Sequence, residues 1–230
     1  MKYFSLAGVA LVLAVSVCST ASAADGVFQI TNTASAGSPI DSITDANALL
    51  NGQLSNKGLL TGTSPVINFD DPENPGGGFH FGNKTPFYTN TPGIDWYFAL
   101  RATGTINIPT AGNYTFGVNS DDGFALTVGG NTMSWVFRRP DSETLQTFNF
   151  PTPGNYPLDF TYFQNTGQAQ AEVFASPGAY TTFNAPGAHF QLVSAAAVGT
   201  IAIPSVPEPA TGILLAVAGL ARLRRRRGAA

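Results

Sequence analysis

The 230-residue chain carries 14 acidic and 11 basic residues, a formal net charge of −3, but the basic ones crowd its two ends. Between residues 24 and 206 five basic residues stand against thirteen acidic ones, a net of −8, which excludes a nucleic-acid surface and suits cation binding. One cysteine, Cys18, excludes an internal disulfide, and a composition rich in Gly, Pro and Phe but only 11% charged argues for strands joined by many turns.

The chain opens with Met1-Lys2 and an apolar run from Leu6 to Val17, followed by Ala21-Ser22-Ala23. This is the order of a secretory signal helix cleaved after Ala23, so the mature chain is expected to begin at Ala24. Cys18 leaves with the signal, and Val17 stands where a lipoprotein signal needs a small residue. Residues 24–64 read as an N-terminal extension, with an extended lead-in over 24–39. Residues 41–50 form a helix capped by Asp41 or Ser42 and ended near Gly52.

Residues 65–193 read as strands. Phe98, Leu100 and Ala102 alternate with Ala99 and Arg101. Tyr114, Phe116 and Val118, then Phe124, Leu126 and Val128, then Tyr156, Leu158, Phe160 and Tyr162 repeat the period of two. Trp96 fits the first of these alternations and is expected in the core; Trp135 is left open. Strands so spaced, with Gly/Pro turns between, predict an all-β antiparallel sandwich. The echo between Pro109–Tyr114 and Pro151–Tyr156 reads as two similar hairpin turns. Asp70, Asp71 and Glu73 lie among prolines and glycines and read as a solvated loop. Residues 194–205 read as a spacer.

Catalytic signatures are missing. His80 and His189 have no metal-ligand spacing, and no nucleophile elbow or phosphate loop occurs. The adjacent Asp121 and Asp122 do not suit a glycosidase, whose two carboxyls flank a sugar about 5–9.5 Å apart. The chain is therefore expected not to be an enzyme. Ser120-Asp121-Asp122-Gly123 reads either as an acidic turn, with Gly123 allowing positive φ, or as a metal site.

Two resemblances sharpen this. Val206-Pro207-Glu208-Pro209-Ala210, an apolar run to Ala221, and Arg222 with Arg224 to Arg227 resemble the PEP-CTERM sorting tail of polysaccharide-producing Gram-negative bacteria. The resemblance implies cutting by exosortase near Pro207, Glu208 and Pro209. It also implies a location in the cell envelope or extracellular matrix after transient anchoring in the inner membrane. The twelve residues from Ala210 to Ala221, if helical, span roughly 18 Å of a bilayer core about 30 Å thick, which is short for a permanent transmembrane helix. An ordinary C-terminal anchor is the alternative. Signal peptidase would act at the other end.

The stretches Trp96–Pro109, Gly112–Gly130 and Gly154–Tyr162, the last running on to Phe174, resemble the PA14 domain family named after bacterial protective antigen. That resemblance implies a β-sandwich and, in many members, binding of a polysaccharide or glycan. In the adhesin branch, adjacent aspartates joined by a cis peptide hold calcium, and Asp121 and Asp122 match that pair. Asn165, after a strong strand, is a candidate further ligand. The expected function is thus an exported, calcium-assisted carbohydrate-binding module; the alternative is a structural surface protein that binds no sugar.

Overall fold

The computed structural model describes residues 26–71, 73, 75–87 and 96–195. The signal and sorting segments, with Ala23, Pro207, Glu208 and Pro209, lie outside the described residues. Among the described residues no helix is long and apolar enough to cross a membrane.

Two six-stranded sheets face each other. The first runs β2 (Leu60–Ser64), β1 (Phe28–Ala34), β5 (Phe98–Ile108), β10 (Gly154–Gln164), β7 (Phe124–Val128) and β8 (Asn131–Trp135). The second runs β4 (Thr85–Pro86), β3 (Asn68–Asp70), β11 (Gln170–Pro177), β6 (Gly112–Asp121) and β9 (Ser142–Phe150), with β12 (Gln191–Leu192) also on β11. Pairing is antiparallel except between β3 and β4. The period-two residues meet between the sheets as expected: Leu100, Leu126 and Phe160 from the first pack with Phe69, Phe116 and Val173 from the second. Full burial of such a side chain contributes about 1.5–3 kcal/mol.

Helix α1 (Ile43–Leu50) lies outside the first sheet. Ser42 caps it, its hydroxyl accepting from Asp45 N at 3.2 Å, and Gly52 at φ 71° follows its end. Because Phe98 and Leu100 face inward, Ala99 faces out. Ala99 and its cross-strand neighbour Phe163 are buried beneath Ile43, Ala46, Leu49 and Leu50 in a second apolar cluster.

Four expectations need correction. The 24–39 lead-in supplies β1, which sits inside the first sheet between β2 and β5, with Phe28 and Ile30 in the core; Gln29, Thr31 and Thr33 take the other face, while Asn32 is buried on the inner one opposite Leu100. The spacer starts later than residue 194, since Ser194 bridges Val66 and Ala195 N donates to Pro65 O at 3.0 Å. Trp96 is 53% exposed. It precedes β5, and Tyr97 at φ 55° breaks the alternation that pointed it inward. The echoed turns are not hairpins: each carries the chain from one sheet to the other, β5 to β6 and β9 to β10. Both corners use one device, in which the Tyr114 hydroxyl donates to Thr110 O at 3.0 Å and the Tyr156 hydroxyl to Thr152 O at 2.7 Å.

The outer face of the second sheet carries polar rows beside an apolar patch at Phe174, which packs on Phe81, Phe183 and Phe190. Residues paired across strands share a face, and register sets Asn68, Glu172, Asn119 and Glu143 in one row. Asp70, Gln170 and Asp121 share the next. The glycine-rich segment 75–82 covers these rows with backbone amides. Gly76 N donates to Asp70 at 3.2 Å and His80 N to Glu172 at 2.8 Å, while Phe81 N also reaches Glu172. A side chain at Gly78 would displace the Asp141 carboxylate, whose Oδ1 would lie 2.6 Å from its Cβ.

Two predictions follow from this packing. Phe163→Ala, which empties the space under α1, should cost about 3–5 kcal/mol in chemical denaturation, whereas Trp96→Ala should stay within about 0.5 kcal/mol. The second concerns Glu172, whose carboxyl burial raises above its ordinary value of 4.5 despite the lowering by the His80 and Phe81 amides. The fold therefore binds this proton more tightly than the unfolded chain does. The cost of ionising Glu172 in place is absent below that ordinary value and complete above the raised one. Thermal melts of Glu172→Gln and the parent between about pH 4 and 7 should show the variant gaining relative stability as pH rises. A difference that stays constant with pH would contradict this.

Candidate functional site: an acidic corner between the sheets

Strand β6 leaves the second sheet at Asp121, and β7 enters the first at Phe124. The connecting corner is Asp121-Asp122-Gly123, and the Asp121–Asp122 peptide is cis, as the adhesin resemblance implied. Gly123 is packed against the segment that follows β8. A Cβ there would lie 2.6 Å from Trp135 O and 2.7 Å from Phe137 O, both backbone atoms.

The two carboxylates differ in their surroundings. Asp122 is buried, with Oδ1 accepting from Arg139 N at 3.1 Å and Oδ2 from Asn165 N at 2.7 Å. Burial nevertheless holds its carboxyl above the usual range. Asp121 is half-buried, and burial first, then the charges of Asp122 and Asp141, push its carboxyl up to about 7. Among the described residues neither has an ion-pair partner. Arg139 is near but turned to other acceptors: Nε donates to Ser120 O at 3.2 Å, Nη2 to Ser120 Oγ at 2.8 Å and Nη1 to Thr144 Oγ1 at 2.7 Å. Its guanidinium lies over the Phe124 ring, and burial lowers its pKa to about 10. The buried Tyr162 hydroxyl donates to the Asp121 carbonyl, bracing the corner from the first sheet.

Asn165, the candidate further ligand, lies beside Asp122, to which its N–H donates. Its Nδ2 donates to Ile40 O at 3.0 Å and Asp41 Oδ1 at 2.8 Å, so its Oδ1 faces the opposite way and accepts from Arg138 Nη1 at 3.3 Å. Arg138 Nε in turn lies 3.2 Å from Asp41 Oδ1. Asp41 and Arg138 were not singled out as site residues by the sequence reading. The signal for Arg138 was its rarity, as part of one Arg-Arg pair in an acidic segment. Asp41 left no signal, because its place at the corner comes from the docking of α1. Around the corner stand exposed apolar groups: Trp135 at 49% and Phe137 at 66% on one side, Trp96 beside Tyr97, whose N–H donates to Asn165 O, on another.

The second acidic cluster is not a solvated loop. β3 continues to Asp70 and pairs with β11, which carries Asp70 and Asp71 into the fold before the prolines act. Asp70 Oδ2 lies 3.2 Å from Lys84 Nζ, and Asp71 Oδ1 accepts from Glu73 N at 2.9 Å. Glu73 alone of the three is exposed. A separate cleft of about 350 Å³ lies over the outer rows, lined by residues including His80, Asn119, Asp141 and Glu143. Its groups satisfy one another, with His80 Nε2 2.6 Å from Glu143 and the ring stacked on Phe183.

A calcium ion takes six to eight oxygens, carboxylates and amide carbonyls among them. No group of three or more His, Cys, Asp or Glu is placed to hold a metal among the described residues. The corner offers two carboxylates, whose oxygens bonded by backbone amides retain further lone pairs; the amide oxygen Asn165 Oδ1 already accepts from Arg138. The donor type fits calcium, and such an ion would add to the partial compensation that Arg139 and the Asp141 amide give Asp121.

The sequence has no significant match among curated proteins. Among solved structures, the PA14 domain of the MpAFP antifreeze protein is 14% identical with a TM-score of 0.52, covering 82% of this chain and 98% of that one. An anti-sigma factor domain-containing protein is 15% identical with a TM-score of 0.50, covering 81% of this chain and 51% of that one. A PA14 sugar-binding domain from an RTX adhesin is 16% identical with a TM-score of 0.49, covering 75% and 99%. These likenesses concern the fold. The PA14 domain model itself matches residues 65–182, more than half of the chain, and the protein belongs to the PA14 domain family.

Proposed function

We propose that this chain is an exported, surface-associated carbohydrate-binding module in which Asp121 and Asp122 hold calcium and a glycan completes the ion's coordination. The observation that carries the reading is a pair of adjacent carboxylates at a partly open corner with no ionic partner among the described residues. Calcium would neutralise them and recruit sugar hydroxyls as further oxygen ligands. The chain's own residues orient the site: Arg139 N and Asn165 N fix the Asp122 carboxylate, and Tyr162 anchors the Asp121 carbonyl. Trp96, Trp135 and Phe137, exposed around the corner, offer apolar faces for sugar rings. Binding rather than turnover is the activity proposed. Export and sorting rest on the signal-like N-terminus and the Pro-Glu-Pro tail.

The test uses the full-length chain on a glycan array, with calcium and with chelator, alongside thermal melts. Calcium at a hundredfold excess over its Kd should stabilise the fold by about 2.7 kcal/mol and raise Tm by several degrees. Asp122→Asn should lose most of that shift and the calcium-dependent glycan retention. Asp159→Asn, whose partner Arg101 lies elsewhere on the first sheet, should keep both. Absence of any calcium shift in the parent would contradict the cation's role. Mass spectrometry of the protein from its host should find the segment from Arg222 to Arg227 gone; its retention on matrix-associated protein would contradict processing at Pro207-Glu208-Pro209.

A further inference from the structure

We propose that Arg138 makes the corner selective for acidic glycans, its guanidinium taking the carboxylate of a hexuronate whose hydroxyls meet the cation at Asp121 and Asp122. The proposal rests on the glycan-binding reading above and names the class of glycan.

Arg138 is the exposed basic residue hydrogen-bonded into this corner. Arg139 is buried, and Lys84 and Arg101 are paired with Asp70 and Asp159. The Arg138 side chain is 60% exposed, with Nη1 on Asn165 Oδ1 and Nε on Asp41. Its Nη2 has no hydrogen-bond partner among the described residues. The Arg138–Asp41 pair is a poor stability device. Both partners are more than half exposed, and such pairs contribute about 0–1 kcal/mol. The arrangement instead holds a guanidinium in place with one edge turned to solvent. That leaves Nη2 free to donate to a carboxylate from a planar group held in place by its other nitrogens, a fixed geometry a lysine cannot match.

Charge argues the same way. A divalent cation at Asp121 and Asp122 would face Arg138 across Asn165. A neutral sugar leaves those two positive groups opposed, while a carboxylate between them relieves the repulsion and gains from both. Phe137, next to Arg138, and Trp96, next to the Tyr97 that bonds Asn165, give the ring of the same sugar apolar surfaces within the site.

The experiment measures affinity of the full-length chain, with calcium present, for oligomers of galacturonate, glucuronate and mannuronate and for their carboxyl-reduced neutral counterparts. The parent should prefer at least one acid over its neutral form by about tenfold or more, as a charge-assisted hydrogen bond supports. Arg138→Gln should erase that preference by weakening the acid without a matching loss for the neutral form, which gains if anything from removal of the opposed charge, and Arg138→Lys should restore part of the preference. Asp122→Asn should weaken both forms together. Melts of the Arg138 variants should match the parent closely, excluding loss of fold as the cause. Equal binding of acid and neutral forms by the parent, or parallel loss of both in Arg138→Gln, would overturn the role of Arg138 and leave glycan binding standing. Failure to bind any sugar on the panel would overturn the proposal; failure across a broad neutral and acidic array would overturn the glycan-binding reading as well.

Discussion

Carboxylates drawn out of water need donors or cations, and this fold buries several on one face and at one end. Glu172, Asp70, Asp71 and Asp122 are all buried, in a module with few basic residues. Leaving a buried charge uncompensated costs several kcal/mol. Much of the surrounding structure answers that cost. The glycine-rich segment 75–82 lies close enough to give its backbone amides to Asp70 and Glu172, and the backbone amides of Arg139 and Asn165 serve Asp122. Lys84 meets Asp70, and Arg139 is drawn inward to lie near the corner. Asp121 is the place where compensation stops short, and its carboxyl rises accordingly.

The site is assembled from distant parts of the chain because the corner sits where the two sheets part. Asp121–Gly123 links them, the segment after β8 passes beneath Gly123, and the end of β10 delivers Asn165. The fourth part comes from outside the span that matches the family. Residues 40–42 reach the corner because α1 docks on Ala99 and Phe163, and they set the orientation of the Asn165 amide. The N-terminal segment therefore acts on the corner through the packing of α1 and through the bonds Ile40 and Asp41 make to Asn165 and Arg138. Stability and recognition meet at Phe163, which holds the helix that holds Ile40 and Asp41.

The alternation of Phe98–Ala102, Tyr114–Val118 and Tyr156–Tyr162 made the strands and their inward faces legible, because a period of two survives any arrangement of neighbours. Asp121 and Asp122 stood out through the Ser-Asp-Asp-Gly motif, and Asn165 only because it follows a strong strand. What alternation could not show was partnership. β1 looked like a polar lead-in because its non-core face is polar, and the turn pairs looked like hairpins because local chemistry does not say which sheet comes next. Trp96 was misplaced because Tyr97 adopts a positive φ that no local pattern signals. Asp70 and Asp71 were read as solvated because only pairing with β11 takes them inside. Arg138 acquires meaning from Asn165, which is 27 residues away in sequence.

Equilibrium dialysis of calcium against the full-length chain asks about the ion at Asp121 and Asp122 before any sugar is chosen. One calcium per chain should be bound, lost in Asp122→Asn and retained in Glu172→Gln, since Glu172 is already served by the His80 and Phe81 amides. A parent chain that binds no calcium, or one whose bound calcium is untouched by Asp122→Asn, would contradict a calcium site at the corner.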